Sequence, residues 1–330
     1  MKLLITGAAG QIGSGLAKRL AKKGHDLVLV DNLRNGYANN LIVDDEYIAP
    51  FYHVDILRSE FDEWCGDSYD AIIHLAAITS LPDCESNPLE TLMINVTGTA
   101  AIMEFARRYN VPHVIFASTS AVYENTDAET FTEDLEINPR LYYSLSKKMA
   151  EEVVQSYREN YNSKVTVLRF FNVFGPDGDS TRPNPPLLNF LVREFKNGVS
   201  PELSGDGEQV RDFIHVEDVV SMLEICLDKQ PNDVFNVCTG QVVSVNQVGN
   251  WVAEALGCEE IGLSHKPARE LWSRYPKMFE GEYPLSKEVV AKETTRWSKG
   301  SYQKAKEVLG WEPNTNLEEL IKKVVKQVNL

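Results

Sequence analysis

The glycine turn near the start of the chain limits its fold more than any other feature. Residues 2–6 form a short apolar run of strand length, followed by Gly7-Ala8-Ala9-Gly10-Gln11-Ile12-Gly13. Ile12, Leu16 and Leu20 then recur at the spacing of one helix face, and the pattern stops near Gly24. A second strand-like run, residues 26–30, ends in Asp31. Glycines let a backbone approach a pyrophosphate, and the first turn of the helix offers free N–H groups and a positive dipole end. An acid about 20 residues further on suits the ribose hydroxyls of a dinucleotide. Dinucleotide binding is therefore expected at Gly7, Gly10, Gln11, Ile12 and Gly13, with Asp31 and its neighbour Asn32 at the adenosine end. A carboxylate at Asp31 repels a 2′-phosphate, which favours NAD over NADP. Arg34 is the counter-signal, because a nearby arginine can accept that phosphate.

The alternation continues. Residues 47–54 read as a third strand running into Asp55-Ile56, and residues 70–75 as a fourth running into Ala76-Ala77. Residues 89–109 carry a long helical pattern that includes Asn95. Residues 111–118 and 165–169 read as the fifth and sixth strands, with another helix between them. Strands alternating with helices imply an α/β fold with a doubly wound parallel sheet. Ligands bind such sheets beyond the carboxyl ends of the strands. Thr6-Gly7, Asp31, Ala76, Thr119 and Phe170 all fall at those ends.

Composition excludes several classes of function. The net charge of −15 argues against general nucleic-acid binding, which needs a basic face. Five widely spaced cysteines without a C-x-x-C pair suggest neither a zinc site nor a disulfide framework. The opening does not resemble a signal peptide, and no apolar run approaches the roughly 20 residues of a membrane span. The expectation is a soluble cytoplasmic protein with no metal.

Tyr143 and Lys147 form a Y-x-x-x-K pair, which a helix places on one face. A free tyrosine, with a pKa of about 10, is a poor base at neutral pH, and a nearby ammonium stabilises its phenolate. Tyr283…Lys287 and Tyr302…Lys306 repeat the spacing. Context separates Tyr143 from these two: it follows the fifth strand and the hydroxyl-rich strand end Ser118-Thr119-Ser120. The other two tyrosines lie outside the alternating pattern and read as structural.

The G-x-x-G-x-x-G turn, the Tyr143/Lys147 pair and two longer runs resemble the extended branch of the short-chain dehydrogenase/reductase family, the NAD-dependent epimerases and dehydratases. The runs are Leu168-Arg169-Phe170-Phe171-Asn172-Val173-Phe174-Gly175-Pro176 and the stretch from Gly205 to Val219. Residues 304–313 extend the match, which covers nearly the whole chain outside roughly 271–297. The resemblance implies a Rossmann domain at 1–171 with a returning segment at about 210–238. It implies a smaller mixed α/β substrate lobe from 172–209 and 239–330, entered through the proline-rich residues 182–186. It further implies that Asp55, Ile56, Leu75, Ala76, Ala77, Asn95, Ser118 and Phe170 contact the cofactor, and that Lys147 holds the nicotinamide ribose. Thr79, Thr119, Ser120, Tyr143, Asn172, Arg211 and Arg269 are implied to meet a nucleotide-diphosphate sugar, the arginines through its diphosphate. A homodimer packed through residues 89–109 and 142–163 is implied as well.

Within the resemblance, the residues after Thr119 separate reactions. The dehydratases place Asp and Glu there, and decarboxylases keep an acid; this chain has Ser120 and Ala121. Hydride transfer with Tyr143 as proton carrier remains, which points to a 4-epimerase. A dehydratase or net oxidoreductase on the same scaffold is the nearest rival. A non-catalytic NAD sensor is a rival of another class, and it would not need Tyr143 and Lys147. Two departures from the family pattern bear on the sugar pocket: Glu124 replaces a usual Gly, and Leu141-Tyr142 replaces Ser-Pro.

Overall fold

The computed structural model describes residues 1–178, 182, 184–270, 272–273 and 275–328. Pro183 and Leu271, at the openings of the proline-rich segment and of the 271–297 stretch, lie outside these residues.

Seven strands build the central sheet: β1 (Lys2–Thr6), β2 (Asp26–Asp31), β3 (Phe51–His53), β4 (Ala71–His74), β5 (His113–Thr119), β6 (Lys164–Phe170) and β7 (Val234–Val237). Their order is β7-β6-β5-β4-β1-β2-β3, and every pairing is parallel. The register aligns the carboxyl ends, with Thr6 opposite His74 and Thr119 opposite Phe170. Both faces of the sheet are covered, as parallel sheets require. Leu3 and Ile5 enter one core and Leu4 the other. Helices α1 (Gln11–Lys22) and α4 (Val216–Lys229) close the first face. Helices α2 (Gly98–Arg108) and α3 (Tyr142–Tyr161) close the second.

Two elements differ from the sequence reading. The third strand is three residues, not eight, because Pro50 cannot donate to a ladder and breaks the run. The residues before it, Glu46–Tyr47, pair instead with Ile42–Val43 in an antiparallel hairpin. The helical pattern at 89–109 is interrupted by a wider π turn, Met93–Thr97, between Pro88–Leu92 and α2. Asn95 sits in that turn.

The second lobe has its own core, built from helices Leu187–Lys196, Val245–Leu256 and Leu317–Val325. The chain rejoins the first lobe through α4 and β7. It then returns a second time: Ala305, Leu309 and Trp311 pack into the core beneath α1 and α4. Residues 303–311 thus pack with the sheet, within the span that the sequence reading gave to the 239–330 substrate lobe. Helix α5 (Lys287–Thr295) lies in the stretch where the family resemblance lapses. No helix among the described residues is long and apolar enough to cross a membrane.

Candidate active site

A cleft of about 420 Å³ opens at the carboxyl ends of the strands. Gly7 adopts φ +70°, and a Cβ there would stand 2.7 Å from the Ala76 nitrogen. A Cβ on Gly13 would overlap the Gly7 carbonyl. No side chain caps α1, so the donors of its first turn are left for a ligand. The Gln11 side-chain nitrogen is buried on the cleft wall without a hydrogen-bond partner among the described residues. A glycine cradle, an uncapped helix and an orphaned donor fit a dinucleotide diphosphate.

Asp31 is held at the rim, where its carboxylate accepts from Ala9 N (3.0 Å) and Leu33 N (2.8 Å). Burial raises its pKa, and these two donors oppose the rise. Asn32 donates to Asp55 (2.9 Å), tying the ends of β2 and β3 together. Arg34 reaches the rim but gives both terminal nitrogens to Glu90. Its charge is therefore already matched, which weakens the sequence signal for a 2′-phosphate.

At the other end of the cleft, β5 and α3 bring Thr119, Tyr143 and Lys147 together. Thr119 ends β5, accepts from Ala121 N (3.1 Å) and lines the cleft with Tyr143, whose phenol its side chain helps to hold down in pKa. Lys147 follows one turn along α3, donates to the Ala117 carbonyl (2.8 Å) and lies 4.9 Å from the centre of the Phe116 ring. Burial, the largest influence on each, pushes Tyr143 up to about 12 and Lys147 down to about 8. The sequence reading expected Lys147 to lower the tyrosine. In this structure burial outweighs that effect, and the cation that pulls Tyr143 down is Arg296.

Nearly all of the expected cofactor residues line the cleft, as do Thr79, Thr119 and Tyr143. Asn95 does not. Its amide is spent on both backbone groups of Ile78 (2.8 and 2.9 Å) and on Ser146 (3.0 Å), so it positions the cleft wall and α3. Ser118 lines the cleft, but its hydroxyl donates inward to Glu151. Glu151 is also paired twice with Arg169.

Four expected substrate residues lie off the cleft wall. Ser120 is buried in the turn after β5. Asn172 donates to the Asp212 carbonyl (2.7 Å). Arg211 donates to the carbonyls of Glu293 (3.1 Å) and Arg296. Arg269 is exposed on the Ala268–Glu270 turn. Sequence reasoning missed Tyr37 and Arg182, which do line the cleft. The Asn35-Gly36 pair was a usable turn signal: Gly36 packs on Ala9 and folds this loop over the glycine cradle. Of the two decoy tyrosines, Tyr283 is 90% exposed and Tyr302 packs against Trp311.

The fold is of the Rossmann dinucleotide-binding type, and its cleft brings Thr119, Tyr143 and Lys147 together. The chain belongs to the NAD dependent epimerase/dehydratase family, whose model matches residues 3–238. It is 31% identical to a putative UDP-glucose 4-epimerase of Methanocaldococcus jannaschii, over 98% of this chain and 97% of that protein. A Thermotoga maritima UDP-glucose 4-epimerase solved with UDP-glucose superposes with a TM-score of 0.86 at 31% identity, covering 99% of this chain and 98% of the other. A Thermus thermophilus UDP-glucose 4-epimerase solved with NAD gives 0.82 at 26% identity, again over 99% and 98%. The cofactor is NAD.

Proposed function

We propose that the protein is a nucleotide-sugar 4-epimerase, acting on a UDP-hexose or UDP-N-acetylhexosamine through a 4-keto sugar. The observation that carries this reading is the convergence of Thr119, Tyr143 and Lys147 on one cleft at the end of β5, followed by Ser120 and Ala121 rather than acids. Elimination and decarboxylation would have no base at those positions.

Tyr143 takes the proton of the sugar 4-hydroxyl and later returns it. Thr119 holds the same oxygen through its hydroxyl, fixing it against the phenol. NAD, when bound, supplies a hydride acceptor that is positively charged until it is reduced. Arg296 opposes the upward push of burial on the phenol, and Lys147 is assigned to the nicotinamide ribose. Gly7, Gly10, Gly13 and the start of α1 hold the cofactor diphosphate, and Asp31 its adenosine ribose. Arg211 is assigned to the substrate diphosphate. That assignment follows the family resemblance; burial and the Arg296 charge lower its pKa to about 10. Arg269 has no comparable support. The epimerase relatives carry the names of several UDP-sugars, among them UDP-glucose, UDP-glucuronate and UDP-arabinose, which favours a uridine nucleotide.

The test is incubation of the purified protein with UDP-, GDP-, CDP- and dTDP-sugars without added cofactor, read by NMR and nicotinamide absorbance. A product of unchanged mass, inverted at C4 and with no net NADH, is expected. Loss of water or net NADH would replace this reading with a dehydratase or dehydrogenase. Tyr143→Phe should abolish turnover while leaving NAD bound.

A further inference from the structure

A buried histidine behind the cleft wall links the two ends of the cleft. His74 closes β4 and is only 2% exposed. Its Nδ1 lies 2.8 Å from the Thr6 hydroxyl, and its Nε2 lies 3.3 Å from the Thr99 hydroxyl. Thr6 is the residue before Gly7, and its hydroxyl accepts from Ala76 N (3.4 Å), the nitrogen against which Gly7 packs. Thr99 lies in the first turn of α2 and donates to the Asn95 carbonyl (2.7 Å) in the π turn. Asn95 donates to Ser146 (3.0 Å), and Ser146 to the Tyr143 carbonyl (2.8 Å). Contacts thus run residue by residue from the glycine cradle to the helix turn that carries Tyr143.

The direction of each bond at the histidine follows from its neighbours. A hydroxyl has one proton, and Thr99 commits its own to the Asn95 carbonyl. Thr99 therefore accepts from His74, which places the ring proton on Nε2. Nδ1 is then the acceptor, and the Thr6 hydroxyl donates to it while accepting from Ala76 N. A second ring proton, on Nδ1, would crowd two N–H groups and the hydroxyl's own hydrogen around one oxygen. Burial, aided by the Lys147 charge, opposes that proton and pushes the histidine down to about 3. The Phe116 ring, 5.9 Å from the imidazole, is the same ring that Lys147 approaches. An apolar side chain would fill this space without the cost of burying two polar nitrogens, so packing alone does not account for a histidine here.

We propose that His74 is a positioning residue whose Nε2–H tautomer holds the cofactor cradle and the helix bearing Tyr143 in one fixed relation. The Thr6 bond keeps Ala76 N against Gly7, where the cradle receives the NAD diphosphate. The Thr99 bond keeps the π turn in place and, through Asn95 and Ser146, the first turn of α3. Lys147 has its own bond to the Ala117 carbonyl, so its place does not depend on the Thr99 side. The half of the proposal that concerns Tyr143 rests on the epimerase reading. The half that concerns NAD does not.

The experiment uses the NAD-loaded protein and two variants that each keep one of the bonds. His74→Asn places an amide oxygen near Nδ1, within reach of Thr6 but not of Thr99. His74→Gln places an amide N–H near Nε2, which serves Thr99 and abandons Thr6. Release of NAD is read by exchange against isotopically labelled NAD, and kcat on the nucleotide sugar that the wild type converts. His74→Gln should speed NAD exchange by about fivefold or more and lower kcat by less than about twofold; His74→Asn should lower kcat by about fivefold or more and leave exchange within about twofold. The nitrogen NMR spectrum of the wild type should show the Nε2–H tautomer, unchanged between about pH 5 and 8, and it decides the matter should neither variant fold. Equal changes in both variants, tracking their melting temperatures, would reduce His74 to a packing role and overturn the proposal. So would no change in either, an Nδ1–H tautomer, or a ring that titrates in that range. A wild type that converts no sugar would sink the epimerase reading instead, and the proposal would then stand or fall on the exchange rates.

Discussion

The Glu124 carboxylate accepts a hydrogen bond from the Leu141 backbone nitrogen at 3.1 Å, across 17 residues of chain. Leu141 is the residue before α3, and no side chain of the helix's own end caps it. The next nitrogen, that of Tyr142, donates to Glu85. Two carboxylates from separate segments thus hold the turn that carries Tyr143, and negative charge is favourable at a helix start. The two departures from the family pattern, Glu124 and Leu141-Tyr142, are parts of one contact. Glu124→Ala should cost about 1–2 kcal/mol by leaving a buried N–H unmatched. Thermal melting and kcat should fall together, with NAD binding retained.

Lys147 sets an alkaline limit on turnover. Burial lowers its pKa from 10.5 to about 8, so it loses its charge as pH rises through about 8. Turnover that depends on the ammonium should fall above that point. Stability should move the other way. Between about 8 and 10.5 the unfolded chain holds the proton and the folded chain has released it, so this group's contribution to stability rises with pH. A kcat profile set beside denaturation midpoints over the same range checks both signs.

Glu90 occupies both terminal nitrogens of Arg34 at the rim of the cleft. Glu90→Gln should release the guanidinium toward a 2′-phosphate and raise NADP affinity by roughly three- to tenfold, with NAD affinity little changed. Fluorescence titration with the two dinucleotides reads the ratio. An unchanged ratio would show that Asp31 alone governs discrimination.

The face beside α2 and α3 exposes Leu89 (71%) and Met93 (50%). A second copy covering this face would account for such apolar exposure. Met93→Glu should convert a dimer to monomers in sedimentation, with the melting curve of the fold preserved.

Much of this architecture was legible in the sequence because its signals are local. The glycine turn, the apolar runs and the acid at Asp31 each act within a few residues of their effect. The strand ends followed from the same periodicity, and they placed Thr119, Tyr143 and Phe170 at one cleft. What was not legible depends on pairings over long separations. Glu85 reaches Tyr142 across 57 residues, and Arg211 reaches the Glu293 carbonyl across 82. A carboxylate or guanidinium bonded to a distant backbone group leaves no periodic trace. The second return of the chain was missed for the same reason, because Ala305 and Leu309 read as one face of an ordinary helix whichever lobe they join. Pro50 was a readable signal that the alternation of the third strand concealed.

In the proposed epimerisation one hydrogen leaves C4 as hydride, stays within the site and returns to the opposite face while Tyr143 handles only the hydroxyl proton. The most direct measurement follows a nucleotide sugar labelled with deuterium at C4 through conversion in ordinary water, by NMR of both epimers. Full retention of deuterium at C4 in substrate and product is predicted. Exchange of the C4 label with solvent would contradict the claim, because the proton traffic would then run through carbon rather than through the hydroxyl that Tyr143 and Thr119 hold.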